Sequence, residues 1–257
     1  QWVINGQKIW TSGAHWADWA ILVARTDPKA PKHKGLTFFF LSMKSPGIVT
    51  RRIKQISGAS HFNEVYFTDV RIPDTQRLGA VGQGWGVSIT TLMNERLAVG
   101  DVAGPDFDEI FALARAVELP DGPAIKNAAV RERLADLYVK TQGVRLTRFR
   151  TMTALSRGET PGPENSIGKL VNAPKAQEIA SFAMDLLDMG GVVMDKDVAP
   201  LRAAFQESLL TSPGGRIAAG TDEILRNIIA ERVLGLPGDI RVDKDVPFNK
   251  IPTKGRA

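Results

Sequence analysis

The 257-residue chain contains no cysteine, and its three histidines, His15, His33 and His61, lack the spacing of metal ligands. Without cysteine there are no disulfides, thiolate nucleophiles or cysteine-ligated metal sites. No HExxH motif is present, so we expect no metal centre. Because the absence of disulfides suits a reducing compartment, the location we expect is cytoplasmic.

Long apolar runs and concentrated charge are also missing. The longest apolar stretches are short, such as residues 36–41, whereas a membrane-spanning helix needs about 18 or more apolar residues. Lysine and arginine number 33 against 28 acidic residues, a net charge of +5, and the basic residues are spread along the chain. We therefore expect neither a membrane span nor a nucleic-acid interface. A G-x-S-x-G motif is absent, which leaves a serine hydrolase without support.

The first third of the chain has the composition of a β domain. Asn5-Gly6 is typical of a two-residue hairpin turn, so we expect residues 1–4 and 7–10 to pair as a tight hairpin. Further runs are rich in aromatic and β-branched residues and are separated by turn-forming residues, which predicts an antiparallel barrel or sandwich. These runs are residues 19–26, 36–43, 48–56 and 62–72.

From about residue 77, apolar residues recur at three- and four-residue intervals, which predicts helices. We expect Ser166 and Thr221 to cap the third and last of them. The predicted helices are residues 87–104, 124–157, 166–188, 199–210 and 221–234. The fold class predicted is α+β, an antiparallel β barrel or sandwich followed by a C-terminal helical bundle. The predicted limits are a β domain over 1–76, the bundle over 77–237, and a tail over 238–257 that lies on the surface or crosses to a partner.

Gly82, Gly84 and Gly86 form a glycine-rich segment at the start of the first predicted helix. Their spacing is G-x-G-x-G and no βαβ unit surrounds them, so a Rossmann dinucleotide site is not predicted. We interpret the segment as a structural turn, with a phosphate-binding role as the less favoured alternative.

Four segments together resemble the acyl-CoA dehydrogenase family of flavoproteins. They read K-I-W-T-S-G-A from Lys8, F-N-E-V-Y-F-T-D-V-R-I-P from Phe62, L-G-A-V-G-Q-G-W from Leu78, and A-G-T-D-E-I-L-R-N-I-I from Ala219. Their order is similar to that family's central β domain and C-terminal helical domain. The family's N-terminal helical domain and its T-E-P-x-x-G-S-D segment have no counterpart, and the chain opens at Gln1. We interpret the chain as a fragment or a cleaved chain.

The resemblance implies FAD as cofactor. A flavin needs an aromatic or apolar wall and a donor for the negative charge of the reduced ring, and the W-T-S segment carries both residue types. The double glycine, Gly190-Gly191, resembles a turn of the family that lies near the dinucleotide of a neighbouring subunit, although the glutamine that precedes this turn in the family is missing. The implied cofactor-binding residues are Trp10, Thr11, Ser12, Gly190, Gly191, Thr221, Asp222 and Glu223.

The catalytic base departs from the commoner family pattern, in which a glutamate precedes the G-T pair. This chain has Ala219 there, which cannot accept a proton. Other members carry the base in an E-R pair on the first helix of the C-terminal domain, and Glu95-Arg96 matches that position. The resemblance thus implies Glu95 as the base, with Arg96 and Gly220 at the substrate; a solvated or Arg-paired Glu95 is the alternative.

The activity implied is FAD-dependent α,β-dehydrogenation of an acyl-CoA to a trans-2-enoyl-CoA, in fatty acid or steroid side-chain degradation. The implied partners are electron-transferring flavoprotein and further subunits, in a tetramer or dimer of dimers, homomeric or heteromeric. Two alternatives stay open. Because of Ala219 and the missing N-terminal part, the chain could be a non-catalytic subunit of a heteromeric enzyme; an acyl-CoA oxidase is the other.

Overall fold

The structure, a computed structural model, describes residues 1–98, 104–159, 162–238, 240–241 and 243–252, with the side chains of 93–98 left out. The described residues fall into two compact units. One lies within Gln1–Ala98 and Ile240–Ala257, and the other within Val99–Asp239. The domain limits expected after residues 76 and 237 stay predictions.

The β unit contains two three-stranded antiparallel sheets, ordered β1-β5-β4 and β2-β3-β6. The two sheets share one core, in which Phe39 and Leu41 of β3 pack with Val65 and Val70 of β5, all nearly inaccessible to solvent. The strands are β1 (Trp2–Ser12), β2 (Trp19–Arg25), β3 (Leu36–Ser42), β4 (Ile48–Ile53), β5 (Phe62–Ile72) and β6 (Arg77–Leu78).

The expected hairpin at Asn5-Gly6 is wrong, because β1 runs without a turn from Trp2 to Ser12 and pairs with β5 along its length. A register shift between Ile4 and Gly6 accommodates these two residues as an irregularity in the strand. Asn5 uses its amide on the neighbouring strand: its Oδ1 accepts from the Asp69 backbone N–H at 2.8 Å, and its Nδ2 donates to the Asp69 carboxylate at 3.0 Å. Pairing with a distant strand therefore overrides the local turn preference.

The first helix, α1 (Gly84–Ala98), packs on β3 and β2 within the β unit. Gly84 allows this approach, because a Cβ there would lie 2.6 Å from the backbone carbonyl carbon of Thr37. Gly82 has a φ of +82° and donates its N–H to the Thr37 hydroxyl at 3.1 Å. The glycine-rich segment is thus fastened to the sheet, as the structural interpretation predicts.

The helical unit packs around Phe205 and Leu137, both almost fully buried, together with apolar residues of α2, α3 and α4. Helix α2, missed from the sequence, begins with a capping box between Asp106 and Glu109, a signal that could have revealed it. The elements are α2 (Phe107–Ala116), β7 (Glu118–Leu119), β8 (Gly122–Pro123), α3 (Ala128–Ser156), α4 (Ser166–Leu187), α5 (Ala204–Gly215) and α6 (Asp222–Arg232). Antiparallel sheets followed by helices confirm the α+β class.

Helix ends differ from the expected ones where local backbone geometry intervenes. Helix α5 begins at Ala204 and not near 199, because Leu201, Arg202 and Ala203 all have positive φ. Ser166 is the first residue of α4 rather than its cap. The start predicted for α6 is confirmed: the Thr221 hydroxyl accepts from the Ile224 N–H at 3.3 Å.

The C-terminal segment 243–252 contacts the loop between β2 and β3 of the β unit. Phe248 donates its backbone N–H to the Ala30 carbonyl at 3.1 Å, and its ring lies 3.6 Å beneath the Arg25 guanidinium. Lys32 and Asp243 form an ion pair at 2.5 Å. These contacts tie the described part of the tail to the β unit.

Asp74, after β5, gives the β unit a dependence on pH. Its carboxylate accepts from Arg77 Nε at 2.9 Å and Nη2 at 2.8 Å, and from Trp2 Nε1 at 2.7 Å. Arg77, and after it Trp2, hold the pKa of Asp74 well below its ordinary value. Because the folded-state pKa is the lower one, this carboxylate stabilises the fold above the unfolded-state pKa of about 4 and stops doing so as pH falls through the folded-state value.

Asp74→Asn should therefore lower the free energy of unfolding at pH 7, by an amount that becomes smaller as the pH falls from about 4 to 2. Urea unfolding of wild type and variant between pH 7 and pH 2 measures the difference between their free energies of unfolding. Replacing the exposed Asp121 by Asn is the matched control. If this difference is the same at every pH, the Asp74 carboxylate is not the source of a pH-dependent stability.

Candidate active site

The end of β1 carries an irregularity at the predicted flavin-binding tryptophan. Ile9 and Trp10 lie opposite the single residue Glu64 of β5, a β-bulge. Trp10 has a φ of +60°, a conformation that costs an ordinary residue about 1–2 kcal/mol. Trp10 is 58% exposed, and its indole meets the Phe62 ring edge-on, with the ring centroids 5.9 Å apart. The bulge thus presents a large aromatic surface at a strained position.

Thr11 and Ser12 follow the bulge, where β1 returns to register with Asn63 and Phe62 of β5. Thr11 is partly buried and Ser12 is exposed. The Thr11 carbonyl accepts a hydrogen bond from the Asn63 side-chain amide at 2.9 Å. The strand end therefore presents an indole and two hydroxyl-bearing residues in sequence, on a backbone held from the buried side.

The start of α6 is a left-handed turn. Ala219 and Gly220 have φ values of +53° and +97°, and Thr221 then caps the helix. Lys169 of α4 donates from its Nζ to the Gly220 carbonyl at 2.6 Å. This lysine lies 51 residues earlier in the chain, and no sequence spacing points to it. A side chain from α4 therefore holds the turn that contains Ala219, where many family members carry the base.

Asp222 is almost fully buried, with 1% of its surface exposed. Its Oδ2 accepts from Arg216 Nε at 2.7 Å, and Arg216 Nη1 also donates to the Gln177 amide oxygen at 3.2 Å. Asp222 Oδ1 lies 4.0 Å from Lys169 Nζ and accepts no hydrogen bond among the described residues. A cavity of about 290 Å³ adjoins this pair, lined by Gln177, Pro213, Arg216, Ile217, Thr221, Asp222 and Glu223.

Burial shifts the pKa of Lys169, and hydrogen bonds shift the pKa of Glu223, at this helix start. Partial burial lowers the pKa of Lys169, and the neighbouring carboxylates of Asp222 and Glu223 oppose that shift. The pKa of Glu223 lies below its ordinary value, because its own backbone N–H and then the Thr221 hydroxyl donate to the carboxylate. Glu223 therefore places a negative charge at the N-terminus of α6, where the helix dipole favours it.

The double glycine occupies a 3₁₀ turn (Asp188–Val192) after α4. Gly191 is buried, and a Cβ there would lie 3.1 Å from the Met184 carbonyl oxygen, whereas a Cβ at Gly190 would meet nothing within 4 Å. The Gly190 carbonyl faces the side-chain amide of the buried Gln206 at 3.5 Å. Gly191 thus serves close packing, and Gly190 leaves open space.

The structure groups the predicted site residues into three sets. Trp10, Thr11 and Ser12 share one strand end, the residues from Gly220 to Glu223 share one helix start, and the double glycine occupies another turn. Glu95 lies on α1 with Arg96, but both side chains fall outside the described residues. Sequence reasoning missed Lys169, Arg216 and Asn63, which hold these segments from other elements.

No helix in the described ranges is long and apolar enough to span a membrane. Within the same part of the chain, no group of three or more histidine, aspartate or glutamate side chains is arranged to hold a metal ion.

Comparison with family profiles identifies both units. The profile described as "Acyl-CoA dehydrogenase, middle domain" matches residues 1–70, and "Acyl-CoA dehydrogenase, C-terminal domain" matches residues 82–234. The chain belongs to the acyl-CoA dehydrogenase family, whose members are flavoproteins.

Two mycobacterial relatives have similar sequences. The acyl-CoA dehydrogenase FadE34 of Mycobacterium tuberculosis is 39% identical over 92% of this chain and 31% of its own length. The acyl-CoA dehydrogenase IpdE1 of Mycolicibacterium smegmatis is 37% identical over 93% of this chain and 59% of its own length. The chain thus spans between about a third and three fifths of these relatives.

Solved structures share the fold. The steroid ACAD Tcur3481-Tcur3483 matches with a TM-score of 0.80 and 26% identity, over 92% of this chain and 61% of that one. The ChsE4-ChsE5 complex of Mycobacterium tuberculosis matches with a TM-score of 0.77 and 24% identity, over 92% and 62%. Both likenesses extend through the β unit and the helical unit.

Proposed function

We propose that this chain belongs to a FAD-dependent acyl-CoA dehydrogenase that converts an acyl-CoA to a trans-2-enoyl-CoA. The observation that carries the proposal is the end of β1, where the strained and exposed Trp10 precedes Thr11 and Ser12. An energetically costly backbone conformation that exposes an indole is typical of a functional site. Family membership over both units supports the same conclusion.

The residues present fit FAD. Trp10 offers an apolar face for a planar ring system, and the hydroxyls of Thr11 and Ser12 offer hydrogen-bond donors beside it. At α6, the Thr221 hydroxyl and the Glu223 carboxylate line the cavity, where they can hydrogen-bond to hydroxyl or amino groups of the cofactor. Bound FAD would supply the acceptor for a hydride.

In the proposed reaction, Glu95 accepts the α-proton of the thioester as the β-hydrogen leaves with its electron pair. The α,β double bond forms from the electrons of the broken α C–H bond, the proton passes to the Glu95 carboxylate, and bound FAD would take up the hydride. Ala219 carries only a methyl group, which leaves Glu95 as the family-matched carboxylate for this step. We assign Arg96 and Gly220 to the substrate, and Gly190 and Gly191 to the cofactor of a neighbouring subunit.

The names of the relatives bear on substrate and partners. Tcur3481-Tcur3483 is a steroid ACAD and ChsE4-ChsE5 is a complex of two different proteins. We propose a bulky steroid-type or branched acyl chain as substrate, electron-transferring flavoprotein as acceptor and a heteromeric assembly. A second candidate follows from Ala219: the chain could complete the site of a homologous catalytic partner without turnover of its own.

Trp10→Ala should weaken FAD binding about tenfold, since a good aromatic contact contributes up to about 1.5 kcal/mol. Titration of the purified apoprotein with FAD, followed by flavin fluorescence, measures the dissociation constant. Trp19→Ala is the matched control, because Trp19 is equally exposed, at 57%, in the same unit. Equal FAD affinity in wild type and Trp10→Ala would contradict the proposed site.

Turnover separates the two candidates. The dehydrogenase predicts flavin reduction by acyl-CoA in the purified protein with an artificial electron acceptor. The non-catalytic subunit predicts FAD binding without turnover until a homologous partner is added.

A further inference from the structure

Asn63 is a buried polar side chain directly behind the predicted flavin-binding segment. It lies on β5 opposite Thr11, and none of its surface is exposed. An asparagine amide without partners in such a position would be costly, because each polar atom loses its bonds to water. The hydrogen-bond partners of the Asn63 side chain therefore explain how it can be buried.

The side chain of Asn63 connects three segments. Its Nδ2 donates to the Thr11 carbonyl at 2.9 Å and to the His61 carbonyl at 3.2 Å. Its Oδ1 lies 3.1 Å from Nδ1 of the His15 ring. Because two carbonyls can only accept, they define which side of the amide carries the NH₂ group, and the amide oxygen then requires a proton on His15 Nδ1.

The same carbonyl of His61 also accepts from the Gly13 N–H at 2.9 Å, so the strand end and the following turn converge on one point. Gly13 has a φ of +66°, and the N–H groups of Trp16 and Ala17 donate to its carbonyl at 3.0 Å. The backbone therefore turns sharply on both sides of Thr11 and Ser12. From the core, the Asn63 side chain donates a hydrogen bond to the Thr11 carbonyl of this short segment.

We infer that Asn63 is a positioning residue: its buried amide holds the Trp10–Ser12 segment in the strained geometry that receives the flavin. The inference rests on the proposed function. A tryptophan in the left-handed backbone conformation persists only where the surrounding structure compensates for its strain. The hydrogen bond from Asn63 to the Thr11 carbonyl acts on the residue next to Trp10. No role in contacting the cofactor is assigned to Asn63, which lies beneath the segment.

Asn63→Leu keeps the approximate size of the side chain and removes all three hydrogen bonds. It should weaken FAD binding about tenfold and shift the flavin absorption maximum, because the strained segment loses the hydrogen bonds that hold its geometry. Thr37→Val is the matched control, because Thr37 is equally buried and hydrogen-bonded on the other sheet. That control should lose comparable stability with unchanged FAD affinity and spectrum.

A milder variant covers the case in which Asn63→Leu does not fold. His15→Phe preserves an exposed ring and removes only the bond to Asn63 Oδ1, so FAD affinity should fall about threefold in a folded protein, within the effect of one hydrogen bond. Unchanged affinity and spectrum in both folded variants, while Trp10→Ala weakens binding, would overturn the positioning role alone. Absence of FAD binding by the wild-type protein would instead refute the proposed function.

Discussion

Glu95→Gln should lower the rate of acyl-CoA dehydrogenation by on the order of 100-fold or more, the usual loss when a general base is removed. Glutamine preserves the size of the side chain but cannot accept the α-proton. FAD affinity should change little, because the variant alters proton transfer and not the strand end at Trp10. Stopped-flow reduction of the bound flavin by acyl-CoA measures the step directly.

Two further variants sharpen this test. Glu118→Gln, at an exposed position of β7, should leave the rate unchanged. Adding Ala219→Glu to Glu95→Gln should recover part of the lost rate, because Ala219 occupies the position of the base in many family members. Its positive φ already accommodates a Cβ, so glutamate adds no new backbone strain. Full activity of Glu95→Gln would show that another group takes the proton.

Asp106→Asn should lower the free energy of unfolding of the helical unit by about 2–3 kcal/mol, below the 3–5 kcal/mol typical of a fully buried broken pair. Lys175 on α4 is 4% exposed, and its Nζ lies 2.8 Å from Asp106 Oδ1 and 3.1 Å from the Thr141 hydroxyl. Asparagine is also a good N-cap, so the variant removes the charge and keeps the cap. The buried ammonium then lacks its counter-ion.

Lys175→Met should cost less than about 1 kcal/mol, since it removes the buried charge itself and leaves a carboxylate that water can reach. The side chain of Asp106 is 54% exposed. Denaturant unfolding of the two variants gives the comparison. A larger loss in Lys175→Met than in Asp106→Asn would show that packing of the lysine stem, and not pairing of its charge, dominates.

Local signals in the sequence predict the parts of this protein that depend on neighbouring residues. The Thr221 cap is correct because capping needs only a hydroxyl and an N–H three residues later. The hairpin predicted at Asn5 is wrong, although its signal is equally local. The backbone there pairs with β5, and Asn5 bonds to Asp69, 64 residues away. The capping box of α2, between Asp106 and Glu109, is a local signal of the same kind as the Thr221 cap.

Chemical roles depend on more distant partners. Asp222 resembles an ordinary acidic residue in the first turn of a helix, yet it is buried against Arg216. Neither this burial nor the contact of Lys169 with the Gly220 carbonyl has a periodic or spacing signal. Asn63 likewise has no sequence signal that sets it apart from other strand residues. Its role comes from hydrogen bonds of its amide to β1, to the turn after β1 and to the β4–β5 loop.

The sequence by itself determined the α+β class, the kinship with acyl-CoA dehydrogenases and the segments that carry the candidate site, because residue type and order are preserved in motifs. Tertiary structure alone decided the left-handed backbone of Trp10, the burial of Asp222 and the hydrogen bonds of Asn63. The physical reason is that strain and desolvation are compensated by groups far apart in the chain, which become neighbours only on folding.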